Sequence, residues 1–244
     1  MRASGNTVLI TGGGSGIGLG LAGKFLGDGN TVIICGRRGE VLRRAKERFP
    51  GLILHTCDVA DARQRVDLVR WCTREYPAVN ILVNNAGIQR RFSIRQEKEW
   101  QRMQEEIAIN LEAPVHLCSL FVDHLMSAGE SAIVNIGSGL AFVPMAAAPV
   151  YCATKAAIHS FTLSLRHQLA GTPIQVIEIL PPAVNTDLGG AGLHSRGTPL
   201  HEFVDAAYAH LRAGELEFGY GFSEKARTAS REELAETFRR MNPV

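Results

Sequence analysis

Paired cysteines, blocks of like charge and an unbroken apolar run are all missing from this sequence. The five cysteines, Cys35, Cys57, Cys72, Cys118 and Cys152, are scattered, odd in number and include no C-x-x-C pair. That pattern argues against a disulfide framework or a zinc site, no metal is expected, and it suits reduced core thiols in a cytoplasm. The 26 Lys and Arg are interspersed with 24 Asp and Glu, for a formal net charge of +2. Without a basic stripe, nucleic acid is not an expected partner. Strand-like residues begin at Thr7, which leaves no room for a charged, apolar and cleavable leader, so the expected location is the cytoplasm. Residues 131–154 carry no charge, yet Asn135, Pro144 and Pro149 interrupt them. A buried strand followed by a loop is expected there, and no membrane span. Internal repeats and low-complexity segments are also missing.

What the sequence has is alternation. Strand-like runs at 7–10, 31–35, 52–57, 80–83, 132–136 and 174–180, with a short one near 216–220, are separated by helical spacing at 40–48, 61–75, 98–127, 151–163, 201–213 and 231–241. Such alternation predicts βαβ units and a parallel sheet. With 45% apolar residues, the 244-residue chain can bury one substantial core. A single domain over residues 1–244 is therefore expected.

The first strand runs into Thr11-Gly12-Gly13-Gly14-Ser15-Gly16-Ile17-Gly18 and then into helical spacing. Strand, glycine turn and helix start form a phosphate cradle, with Gly12, Gly14, Ser15, Gly16, Ile17 and Gly18 as its candidate residues. Gly18, Gly20 and Gly23 match G-x-G-x-x-G but fall inside the helix, and Phe25 stands where a P-loop needs Ser or Thr. An NTPase is rejected. The second strand exits at Gly36-Arg37-Arg38, where a dinucleotide site holds either an acid for a ribose hydroxyl or a base for a 2′-phosphate. Two arginines favour NADP(H) over NAD(H). Arg37 is the stronger candidate, and Arg38 suits a solvated helix face equally well.

A second chemical centre lies downstream. In a helix, Tyr151 and Lys155 fall one turn apart on one face, so an ammonium can stabilise a phenolate. Ser138 precedes Tyr151 by thirteen residues, and Ile136 stands where a nucleophile elbow would need glycine. Its hydroxyl is read as a donor to a substrate carbonyl. Asn84 and Asn85, buried at a strand end, need partners and either tie strands together or meet a cofactor. The apolar loop 140–145 is read as a pocket wall through Leu140, Phe142 and Met145, although core packing also suits Phe142. Glycine and proline fill residues 187–200, a composition suited to a substrate lid over about 187–213, with Leu193 and His194 as its contacts. Gln89, Arg90 and Arg91 could receive an anionic or polar group, or stand on the surface.

T-G-x-x-x-G-x-G at 11–18, Asp58, N-N-A-G at 84–87, Ser138 and Y-x-x-x-K at 151–155 together resemble the short-chain dehydrogenase/reductase family, short single-domain subgroup, DltE-like branch. The resemblance implies a doubly wound parallel β-sheet of Rossmann type with helices on both faces. It implies hydride transfer between NADP(H) and a small carbonyl or alcohol substrate, with Tyr151 as general acid/base assisted by Lys155, Ser138 and Asn110. In similar enzymes the matching Asn kinks its helix and holds a relay water, and that role is carried to Asn110. Asp58, Val59, Asn85, Ala86, Gly87, Tyr151, Lys155, Pro181, Val184 and Thr186 are then cofactor candidates. The family's Pro-Gly is Pro181-Pro182 here, which removes a flexible position bearing an N–H. A homodimer or homotetramer is implied as well. The competing reading is a non-catalytic NADP(H)-binding regulator on the same fold, against which stand all four filled catalytic positions.

Overall fold

A computed structural model describes residues 2, 4–95 and 100–243. The described residues form one seven-stranded parallel sheet in the order β3-β2-β1-β4-β5-β6-β7. Its strands are β1 (Thr7–Thr11), β2 (Thr31–Gly36), β3 (Ile53–Thr56), β4 (Val79–Asn84), β5 (Ser131–Ile136), β6 (Ile174–Leu180) and β7 (Glu217–Gly219). The chain winds outward from β1 to β3, then returns to place β4 on the other side of β1. That reversal opens a crevice at the carboxyl ends of β1 and β4, the usual ligand position in such sheets.

Side-chain alternation divides the core in two. Val8 and Ile10 of β1, Ile81 and Val83 of β4, and Ala132 and Val134 of β5 face one layer. That layer is closed by α1 (Gly16–Gly27), α2 (Gly39–Arg48) and α7 (Leu200–Ala213), through Phe25, Leu42 and Phe203 among others. Leu9, Leu82 and Ile133 face the opposite layer, closed by α3 (Ala62–Glu75), α5 (Ala113–Ser127) and α6 (Pro149–Gln168) through Leu68, Phe121 and Leu165. Burial on both faces explains why these strands read as nearly continuous apolar runs. Asp61 caps α3 as expected, accepting from the backbone N–H groups of Arg63 and Gln64.

Two asparagine clusters brace the sheet ends. At the amino ends, Asn80 donates to Asn6 Oδ1 at 3.0 Å and accepts from the Thr7 N–H at 3.0 Å. At the carboxyl ends, Asn84 donates to its register partner Asn135 at 2.9 Å, and Asn135 donates to Thr162 at 2.9 Å. Asn84 therefore ties strands together.

The expected long helix over 98–127 differs from the observed chain in one respect, and its first residues, Lys98 and Glu99, lie outside the described residues. Helix α4 (Trp100–Ile107) passes into a π-helical turn, Ala108–Glu112, before α5 begins, and Asn110 sits in that turn. Residues 131–154 also need a correction: β5 leads into a 3-10 turn, Gly139–Ala141, and α6 already starts at Pro149. Helix α8 (Phe222–Thr228) was not expected, whereas α9 (Arg231–Met241) falls where the tail helix was read. Among the described residues no helix is long and apolar enough to cross a membrane.

Candidate active site

The glycine turn after β1 is moulded onto the exit of β4. Gly12 adopts φ +65°, and a Cβ there would lie 2.8 Å from Ala86 Cα. A Cβ on Gly18 would lie 2.4 Å from Asn85 Nδ2. Asn85 donates to the carbonyls of Thr11 and Gly12 at 2.9 and 3.2 Å, and Thr11 Oγ1 accepts from the N–H groups of Asn85 and Ala86 at 3.0 Å each. Ser15, at the N-cap of α1, makes no side-chain capping bond. The helix start thus retains donors for an anion, and at positions 12 and 18 the exit of β4 leaves room for no side chain. That cradle fits a dinucleotide pyrophosphate. Gly16 in turn approaches Thr186, whose Cγ2 would be 3.4 Å from an added Cβ.

The remaining cofactor candidates have contacts of their own. Arg37 pairs with Glu105 of α4 at 2.7 Å while about half exposed, and Arg38 occupies the N-cap of α2. Asp58 closes its own turn by accepting from the Ala60 N–H at 3.0 Å, and the Val59 carbonyl accepts from Arg65 at 2.5 Å. The Pro181 carbonyl accepts from Gly139 N–H at 3.3 Å and Ser223 Oγ at 2.7 Å, so unexpected helix α8 anchors the Pro181-Pro182 corner. Val184 is buried and bridges to Thr198. Asn185 N–H donates to the Thr198 carbonyl at 2.8 Å and Thr198 N–H to the Ala183 carbonyl at 2.8 Å, so the 186–197 loop has a closed neck.

Tyr151, Lys155, Ser138 and Asn110 all converge on the carboxyl edge of the sheet. Lys155 Nζ donates to the Ile136 carbonyl at 2.7 Å and lies 5.6 Å from the Tyr151 ring centroid. Ser138 follows β5, accepts from the Leu140 N–H at 3.1 Å and hydrogen-bonds with Tyr151. Asn110 accepts from the Ile88 N–H at 2.9 Å and donates to the Ile88 carbonyl at 2.8 Å and to Thr154 at 3.3 Å. Its amide therefore joins the β4 exit to α6. Gly87 closes the group, since a Cβ there would lie 3.5 Å from Asn110 Oδ1 and 4.0 Å from Lys155 Nζ.

Burial governs the electrostatics. It pushes the Tyr151 phenol above its ordinary range, with Ser138 opposing and Glu106 adding to the rise. It lowers Lys155 to about 8, with the Glu178 carboxylate opposing. Glu178, in the middle of β6, has no exposed surface and pairs with His159 Nδ1 at 2.7 Å, which raises the imidazole. Glu106 is equally inaccessible; Oε1 accepts from the Arg90 N–H at 3.0 Å, and Oε2 has no partner. Burial lifts this carboxyl to about 7. Sequence reasoning passed over both acids. A glutamate inside Ile-Gln-Val-Ile-Glu-Ile-Leu, and another one turn before Asn110, were the available signals.

His159, Glu178 and Glu217 bring ligand atoms within 4.8 Å of one another. Glu217, however, already pairs with Arg166 at 3.6 Å and Arg227 at 3.5 Å. The cluster is accordingly an ion-pair network, in which two guanidiniums supply the charge a cation would.

Of the expected substrate residues, Leu140 and Met145 pack with Leu188 around Tyr151, Cys152 and Ala148. Phe142 stands apart from that group, its ring meeting His159 edge-on at 4.7 Å between centroids. Leu193 is 48% exposed, and His194 Nε2 lies 3.2 Å from Gln89 Oε1.

A family model described as short chain dehydrogenase matches residues 6–195. The uncharacterized oxidoreductase DltE of Bacillus subtilis (strain 168) is 47% identical over 99% of this chain and 98% of its own length. The NADP-dependent 3-hydroxy acid dehydrogenase YdfG of Escherichia coli O6:H1 (strain CFT073) is 30% identical over 72% of each chain. Among solved structures, a short-chain dehydrogenase from Sphingobium yanoikuyae in complex with NADPH superposes with a TM-score of 0.81 at 26% identity. It covers 96% of this chain and 93% of its own.

Glu106 gives this site a measurable signature. Its folded value of about 7 lies above the ordinary 4.5, so the unfolded chain releases the proton first as pH rises. The group's contribution is complete below pH ~4.5 and is lost as pH rises through about 7, a loss of about 3 kcal/mol. Urea unfolding at pH 5 and pH 8 should show that component in the wild type and not in Glu106→Gln. Equal pH dependence in the two proteins would refute the assignment.

Proposed function

The chain belongs to the short-chain dehydrogenase/reductase family, and from that premise we propose that it is an NADP(H)-dependent oxidoreductase interconverting a carbonyl and an alcohol. The observation that carries this reading is the buried Tyr151 phenol, hydrogen-bonded with Ser138 and 5.6 Å across its ring from the Lys155 ammonium. A pure binding protein has no use for a desolvated Tyr–Lys pair.

Gly12 to Gly18 would hold the pyrophosphate, Arg37 and Arg38 the 2′-phosphate, and Asp58, Val59 and Asn85 to Gly87 the adenosine half. Lys155, Pro181, Val184 and Thr186 would hold the nicotinamide half. Held there, the cofactor would supply hydride chemistry, and the chain's own residues would manage the proton. Tyr151, protonated at neutral pH because burial raises it, gives its proton to the carbonyl oxygen, and in reverse takes it back. Ser138 donates to the same oxygen and shares the charge that develops there. Lys155 lies near 8, so at pH 7 it is mostly an ammonium and stabilises the phenolate Tyr151 leaves behind. Glu178 sustains that ammonium from behind. Asn110 fixes the β4 exit against α6, and the water relay that the family resemblance assigns to it completes proton supply.

Arg37 reaches its role by exchanging partners. Its pair with Glu105 is half exposed, so it is weak, whereas a 2′-phosphate brings nearly two charges and a matching set of acceptors. Residues 187–197 act as the substrate lid, hinged at the Val184–Thr198 neck, whereas residues 200–213, expected as part of the lid, form core helix α7. The reading extends to a cytoplasmic homodimer or homotetramer, supported by exposed Met126 and Leu163 on α5 and α6.

Tyr151→Phe should keep NADPH binding while turnover falls by about a hundredfold to ten-thousandfold; turnover at the wild-type rate would overturn the role of Tyr151. In fluorescence titrations NADPH should bind more tightly than NADH, and Arg37→Glu should reverse that order. Equal affinities in the wild type would sink the cofactor preference. Light scattering should report a dimer or tetramer, and a monomer counts against the assembly.

A further inference from the structure

Next to the Tyr151 pocket is a cavity of about 260 Å³ that carbonyl reduction itself leaves unused. The segment after β4, helix α4 and the loop after Thr186 each supply part of its lining. Three of its lining residues are arginines, Arg90, Arg91 and Arg102, and among the described residues none of the lining is acidic. Arg90 donates to the Arg102 carbonyl at 2.6 Å and pairs with Glu105, and the Arg102 guanidinium lies 5.6 Å from the centroid of the Phe92 ring. Both are thus held in place before any ligand arrives, which lowers the entropy cost of binding.

Two covalent links set this cavity one residue away from contacts of Asn110 and Tyr151. Ile88, bonded twice to Asn110, immediately precedes Gln89; Leu188, packed on the Tyr151 cluster, immediately precedes Gly189, and both following residues line the cavity. His194 spans the cavity walls by meeting Gln89 at 3.2 Å. The nearby acids weaken the positive field only in part. Glu105 is held ionised by Arg90 and Arg37, which it shares, and Glu106, lifted to about 7 by burial, is only partly ionised near pH 7.

We propose that this cavity is an anion subsite, and that the substrate is a small carbonyl or hydroxy compound carrying a carboxylate or phosphate. The proposal rests on the oxidoreductase reading above and deepens it by naming the substrate class. Guanidiniums bind both anions through paired charge-assisted hydrogen bonds, and a partly enclosed site is screened less than open surface. Water takes about 30 Å³ per molecule, so the cavity holds an anionic group with a short carbon chain.

The test uses matched pairs with excess NADPH: acetoacetate against methyl acetoacetate, and dihydroxyacetone phosphate against dihydroxyacetone. In each pair that is turned over, the charged member should have kcat/KM higher by about tenfold or more, through a lower KM. The pair with the larger ratio identifies carboxylate or phosphate as the source of the anion. Arg91→Gln and Arg102→Gln should each collapse that ratio by about tenfold. Equal kcat/KM within both pairs, or equal losses for charged and neutral members in both variants, would overturn the subsite. Absence of turnover with all four compounds would instead count against the oxidoreductase reading, and the subsite then stands or falls on binding. Acetoacetate or dihydroxyacetone phosphate should raise the Tm of the Tyr151→Phe protein with NADPH bound, the neutral partners should not, and Arg102→Gln should abolish the rise. No rise with either anion overturns the proposal.

Discussion

An ammonium group in a dry place is the constraint to which the carboxyl edge of the sheet answers. Lys155 is 6% exposed, and burying a charge of that kind costs several kcal/mol unless the surroundings repay it. The repayment comes from the last carbonyl of β5, from the Glu178 carboxylate on the neighbouring strand, and from the face of the Tyr151 ring. Each of these positions depends on register. Asn135 pairs with Glu178 and Ile136 with Ile179, so the carbonyl and the carboxylate reach Lys155 only if β5 and β6 are aligned as they are. Ser138 then falls where the end of β5 leaves it, and Gly87 where the end of β4 does.

Much of this was legible in the sequence because it is local. Alternating apolar strands and helices follow from the need to bury both sheet faces, and the glycine turn follows from the close approach of Ala86 and Asn85. The spacing of Tyr151 and Lys155 is a property of one helix. Asn84, read as either a strand tie or a cofactor contact, forms the tie to Asn135.

What escaped reading depends on distant partners. The role of Glu178 is visible only when β6 lies beside β5 and α6 covers it, and Glu106 gains its unusual environment from α6 and from the Arg90 backbone. The Arg37–Glu105 pair joins residues 68 positions apart. Phe142, apolar and in an apolar loop, gave no hint that it would choose His159 over the pocket. Helix α8 is short, and its packing is anchored by a single serine on the Pro181 carbonyl rather than by an apolar stripe.

The π-helical turn at Ala108–Glu112 has a consequence for how this chain can vary. Such a turn accommodates one more residue than the α-helix it interrupts, so the helical phase before and after it differs by about 100°. Glu105 and Glu106 face their arginine and tyrosine neighbours in one phase, while Phe121 and Leu125 face the sheet in the other. Loss of a single residue here would restore regular winding with both sets still facing their partners, and would remove only the widened turn that carries Asn110. The chain is therefore one residue longer here than its two packed faces require, and the surplus serves to set the Asn110 amide against the Ile88 backbone.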